Sequence, residues 1–141
     1  MTLHILKSED SVRRPRPSLS ARITEDPYHT LHTLTNMQTR MRKPITKIRI
    51  DTKIQEQTLP IRIGTMTKVK DLNLKRCHLN RIPDSIRHLP HLQTLDLRNN
   101  ELTTLPESLR NLTALTDFSY SENPFVRPFS RELEDFLKTF E

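Results

Sequence analysis

The 141-residue chain reads as a short repeat solenoid closed at each end by a helix. The first ground is self-similarity. Val69, Leu72, Leu74, Cys77, Leu79, Ile82, Pro83, Ile86 and Leu89 recur 23 residues later as Leu92, Leu95, Leu97, Asn100, Leu102, Leu105, Pro106, Leu109 and Leu112. A fixed period of this size marks stacked coils, each too small to bury its own apolar face. The second and third grounds are apolar stripes at helical spacing on either side of the repeats. Tyr28, Leu31, Leu34, Met37 and Met41 form one, and Leu133, Phe136, Leu137 and Phe140 form the other.

Each copy follows the pattern LxxLxLxxNxLxxLPxxLxxLxx, which resembles the leucine-rich repeat in the variant with Leu-Pro after the asparagine. The resemblance covers copies at 69–91 and 92–114, a partial copy at 115–129 carried by Leu115, Phe118, Tyr120, Asn123 and Phe125, and a degenerate copy at 45–68. It implies an α/β solenoid in which every copy contributes a short strand to a parallel sheet on the concave side, with the leucines pointing inward. It also implies a binding scaffold, since members of this family are mostly non-enzymatic protein-interaction modules.

From the N-terminus, residues 1–25 are rich in Arg, Pro and Ser and show neither helical nor strand period, so a disordered basic tail is expected. Its cluster Arg13-Arg14-Pro15-Arg16-Pro17 reads as a docking motif, a localisation signal or a solvated tail. Asp26-Pro27 has the chemistry of a helix start, because aspartate caps free backbone N–H groups and proline fits the first helical turn. The spacing predicts an N-terminal capping helix over 27–41 within a segment 26–44 that ends in a basic linker, although Thr30, Thr33, Thr35 and Thr39 weaken it intrinsically.

In the degenerate copy Ile45, Ile48 and Ile50 imitate the strand positions, and Lys53 falls where an asparagine is expected. After the partial third copy, Ser130 precedes RELEDFLKTFE, a C-terminal capping helix over 130–141 with Ser130 as cap and Glu132 against the helix dipole.

Side chains alternate across a strand, so residues between the inward leucines face the concave surface. That assigns a partner-binding face to Lys47, Asp71, Thr94 and Asp117, then Arg49, Asn73, Asp96 and Ser119, then Asp51, Lys75, Arg98 and Ser121, with Arg76 alongside. Lys75, Arg76, Asp96 and Arg98 are its central candidates, and an ordinary solvated face is the rival reading. Asn100 and Asn123 stand where the chain leaves the strand, and their amides offer donors and an acceptor to backbone groups that would otherwise go unpaired. Cys77 holds the same structural turn position with a small, weakly donating thiol.

Lys and Arg number 23 against 17 Asp and Glu, and residues 1–44 hold eight basic against four acidic, so most of the excess lies in the tail and linker. A nucleic-acid or anionic-surface contact through Arg13–Arg16 and Arg40–Arg49 is therefore an alternative, weakened by having only Tyr28 nearby to stack on bases. One cysteine allows no internal disulfide, and no leader-like apolar run follows Met1, which leads to the expectation of a cytoplasmic or nuclear protein.

Six scattered histidines beside a single cysteine form no zinc pattern, and no cofactor is expected. The only glycine, Gly64, excludes a glycine-rich phosphate loop, and no nucleophile and base or paired carboxylates stand out. The expected function is a non-enzymatic adaptor for another protein. A regulatory or substrate-recognition subunit of a larger enzyme complex is the variant of it.

Overall fold

In the computed structural model the described residues are 3–7 and 19–140. Among the described residues, six strands form one sheet in the order β1 (Leu3–Lys7), β2 (Leu19–Ile23), β3 (Ile45–Ile50), β4 (Asp71–Asn73), β5 (Thr94–Asp96) and β6 (Asp117–Ser119). Strands β2 to β6 run parallel, while β1 lies antiparallel on the outer edge of β2.

The register puts Ala21, Ile48, Leu72, Leu95 and Phe118 side by side on neighbouring strands, all buried. Further rows run parallel to it through the return segments, such as Ile63, Ile86 and Leu109, and merge into one core cluster. Each fully buried Leu or Ile in these rows contributes roughly 1.5–3 kcal/mol. Consecutive coils are also tied by backbone hydrogen bonds beyond the short strands, as in Gln93 N–H to Lys70 O at 2.8 Å and Thr116 N–H to Gln93 O at 2.9 Å.

Pro60, Pro83 and Pro106 each hold an extended conformation that opens a 3-10 turn, over Ile61–Thr65, Asp84–His88 and Glu107–Asn111. A fixed φ suits that entry, and the missing N–H costs nothing at the start of a helical turn. The first two turns approach so closely that a Cβ on Gly64 would lie 2.6 Å from the Ser85 carbonyl oxygen. Only glycine fits there.

The structure differs from the sequence reading at the N-terminal end. Leu3–Lys7 and Leu19–Ile23, both assigned to the disordered tail, are paired strands, and Leu19, Ala21 and Ile23 of the second are buried beside β3. Five residues of LSARI carry too little apolar bulk to signal a strand in isolation, and β3 supplies the partner that orders them. Residues 8–18, with the Arg13–Arg16 cluster, lie outside the described residues.

Helix α1 (Pro27–Met37) follows β2 and packs beside the Ile61–Thr65 turn, so it forms the return leg of an additional coil at the head of the stack. Asp26 caps it by accepting the His29 N–H. Its buried face comprises Pro27, Thr30, Leu31, Leu34 and Thr35, whereas Met37 of the predicted stripe is exposed. The threonines sit inside because their hydroxyls bond to backbone carbonyls: Thr30 to Glu25 O at 3.2 Å and Thr35 to His32 O at 2.8 Å.

At the other end α2 (Arg131–Lys138) is capped by Ser130, whose Oγ accepts the Leu133 N–H at 3.1 Å. Leu133 and Leu137 are buried under it. Aromatic rings replace the aliphatic rows there. Phe118 meets Tyr120 at 4.9 Å and Phe140 at 5.6 Å between centroids, and Phe125 meets Phe129 at 5.4 Å. Rings in tilted and edge-on contact cover the last coil with few residues.

Candidate partner-binding face

Strand pairing sets the polar side chains of the sheet in columns. Lys47, Asp71, Thr94 and Asp117 lie across one register line, and Arg49, Asn73, Asp96 and Ser119 across the next. Both lines continue onto β2, as Ser20 beside Lys47 and Arg22 beside Arg49. The sequence reading missed Ser20 and Arg22, although the alternation of Leu19, Ala21 and Ile23 with polar residues was the available signal. Lys75, Arg76, Arg98 and Ser121 stand just beyond the strand ends.

The charges on this face are partly committed to one another. Asp96 is buried, and its two oxygens take the Arg98 guanidinium in a fork, at 3.0 Å from Nε and 2.8 Å from Nη2. Its Oδ1 also accepts the Arg98 backbone N–H at 3.1 Å. Burial disfavours the Asp96 carboxylate, but the hydrogen bonds and charge of Arg98, with Lys75 beyond, outweigh that and hold the carboxyl below its usual range.

Asp51 is held in the same way by two arginines: Arg49 Nε donates to Oδ1 at 2.7 Å and Arg22 Nε to Oδ2. Partial burial opposes its ionisation, and the two guanidinium groups override it, so this carboxyl is also low. Asp71 is different. It makes no side-chain hydrogen bond or ion pair among the described residues. Burial pushes its carboxyl up, Lys47 counteracts, and the neighbouring Asp117 and Asp96 push further in the same direction as burial.

The turn residues form a ladder between coils. Asn100 Oδ1 accepts the N–H groups of Cys77 and Leu79, each at 3.0 Å, and its Nδ2 donates to Leu74 O and Leu97 O, each at 2.9 Å. Asn123 repeats this one coil on, from Leu102 N–H at 3.1 Å to Leu97 O at 3.0 Å. Cys77 Sγ donates to Ile50 O at 3.3 Å, which keeps the ladder going with a thiol. Burial raises that thiol to about 12, with Asp51 and Asp96 adding to the effect, so it stays protonated and unreactive. In the degenerate coil the expected position, Lys53, is exposed, and Ile54 is buried in its stead with its N–H on Cys77 O at 2.9 Å.

Among the described residues no group of three or more His, Cys, Asp or Glu could hold a metal ion. No helix among them is long and apolar enough to cross a membrane.

Inward aliphatic rows, parallel strands on one side and an asparagine ladder at the turn define a leucine-rich repeat solenoid. Residues 67–125 match the model of the leucine-rich repeat family, and the chain carries repeats of that family. A leucine-rich repeat protein of Leptospira interrogans is similar in structure, with 30% sequence identity and a TM-score of 0.47 over 67% of this chain and 22% of that one. The present chain thus spans about a fifth of that protein's length. No curated protein matches. Repeat domains of this kind generally serve as protein-interaction modules.

Proposed function

We propose that the chain is a non-enzymatic adaptor whose concave sheet face binds another protein in a reducing compartment, the cytoplasm or nucleus. The observation that carries this reading is the distribution of charge over a rigid sheet. The β2–β3 end presents Arg22, Lys47 and Arg49, and the β6 end presents Asp117, with Glu122 following. A charge gradient of this kind orients a complementary partner and speeds its encounter. Lys75, Arg76 and Arg98 line its edge just past the C-terminal ends of β4 and β5. Asp96, at the end of β5, organises Arg98.

A photo-crosslinking residue at Thr94, on the concave side, should trap the partner in cell extracts. The same residue at Arg110, on the opposite side, should not. Adducts from Arg110 with none from Thr94 would place binding elsewhere.

A further inference from the structure

One recess on the concave face is not explained by packing. Arg49, Asp51, Asn73, Lys75 and Arg76 enclose about 250 Å³ at the C-terminal ends of β3 and β4. Asp51 engages Arg49 and Arg22 through their Nε atoms only, and no Nη hydrogen bond from either arginine occurs among the described residues. Arg98 offers the contrast, since Asp96 takes both its Nε and its Nη2. Asn73 Oδ1 accepts the Lys75 backbone N–H at 3.1 Å, which turns the amide Nδ2 away from that bond without a partner among the described residues. Arg76 sits at φ 61 and is tied to the next coil by its N–H on Arg98 O at 3.1 Å.

The recess therefore gathers donors without partners among the described residues, with the Arg49 and Asn73 side chains held by hydrogen bonds and Lys75 and Arg76 tied through their backbones. Asp51, with one negative charge shared between two guanidinium groups, holds them in place and leaves a net positive charge. These cationic donors are exposed enough to be hydrated while empty, and their convergence on one recess is matched by one oxyanion, which charge-assisted hydrogen bonds would hold.

We infer that this recess is an oxyanion site that takes a carboxylate or phosphate carried by the protein partner, an assignment that rests on the concave-face reading above. Its size suits one anionic group rather than a strand of phosphodiesters. Asp71 and Asp96 on the adjoining strands would also repel a continuous polyanion.

Inorganic phosphate titrated into the full chain at low ionic strength, with chloride as control, tests this by NMR. The expected result is a saturable shift of the Arg49, Asn73, Lys75 and Arg76 signals. Replacing both Lys75→Gln and Arg76→Gln should weaken the phosphate response by about tenfold or more, the scale of a lost charge-assisted contact. Lys75→Arg, which keeps the charge and enlarges the donor set, should hold it, while Arg110→Gln should leave it unchanged. A phosphoserine peptide should bind in the recess more tightly than its glutamate counterpart if phosphate is the natural group, and less tightly if carboxylate is.

Unsaturable shifts spread over Lys68, Arg87 and Lys138 would overturn the site, as would a double variant that binds phosphate normally. An oligoribonucleotide that outcompetes both peptides would overturn the assignment to a protein partner. Adducts at Thr94 without phosphate binding would discard the recess alone, whereas phosphate binding without Thr94 adducts would discard the concave-face reading.

Discussion

Asn100 reaches back one coil and holds the backbone N–H of Cys77 at 3.0 Å, while Cys77 in turn donates its thiol to Ile50 O in the coil before. Each coil is thereby fastened to its predecessor through a side chain that stands in for missing strand pairing. Strands of three residues leave most turn groups without ladder partners, and a buried backbone group without one costs about 1–3 kcal/mol.

Replacing Asn100 with alanine leaves Cys77 N–H, Leu79 N–H, Leu74 O and Leu97 O to find other partners. The loss should be about 3 kcal/mol or more by urea unfolding. Asn123→Ala should cost less, since Asn123 is only half-buried and water can replace part of its bonding. An equal loss at the two positions would show that burial does not govern the ladder's strength.

The Cys77 thiol provides a test in alkali. Its value is raised from 9.0 to about 12 by burial, so the folded protein keeps its proton where the unfolded chain gives it up. Its contribution to stability is complete below pH 9.0 and declines as pH rises toward about 12. The fall should approach about 1.4 kcal/mol per pH unit from this group. Cys77→Ser should remove that component of the slope, and an unchanged slope in the variant would contradict it. Thiol reagents should likewise label Cys77 only as fast as the protein opens.

Two aspartates on the same face should respond to acid in opposite ways. The Asp71 carboxyl is raised, so ionising it opposes folding, and Asp71→Asn should raise the Tm at neutral pH, with the advantage fading as pH falls through the carboxylate range. The Asp96 carboxyl is lowered, so its contribution is present at neutral pH and is lost as pH drops through its folded value. Asp96→Asn should therefore lower the Tm at neutral pH and approach the parent in acid. Parallel pH profiles for the two variants would refute the assignment of their partners.

Gly64 tests the fit between coils. An alanine there meets the Ser85 carbonyl at 2.6 Å, and forcing the turns apart should cost about 1–3 kcal/mol. Arg87→Ala, one repeat later and exposed, should change stability by no more than about 0.5 kcal/mol. A neutral Gly64→Ala would mean that the two turns can separate freely.

The inward rows were legible because one 23-residue period forces Leu72, Leu95 and Phe118 into register once the coils stack. Asn100 was legible for the same reason. Thr30 and Thr35 were not, because their inward position depends on hydroxyl bonds to Glu25 and His32 carbonyls that a hydrophobic count ignores. The clamp on Asp51 was hidden as well, since Arg22 is 29 residues away and lies on a strand with no repeat pattern.

By itself, then, the sequence determined the coil, its period, the inward leucines and the polar columns between them. These depend on local spacing, and a repeat carries its own register. Tertiary structure alone decided that Leu19–Ile23 joins the sheet, that α1 is a return leg, and that Arg98 is spent on Asp96 while, among the described residues, Arg22 and Arg49 meet Asp51 through Nε alone. Those outcomes depend on which neighbour reaches a charged or weakly apolar segment first in space, a distance that spacing along the chain does not encode.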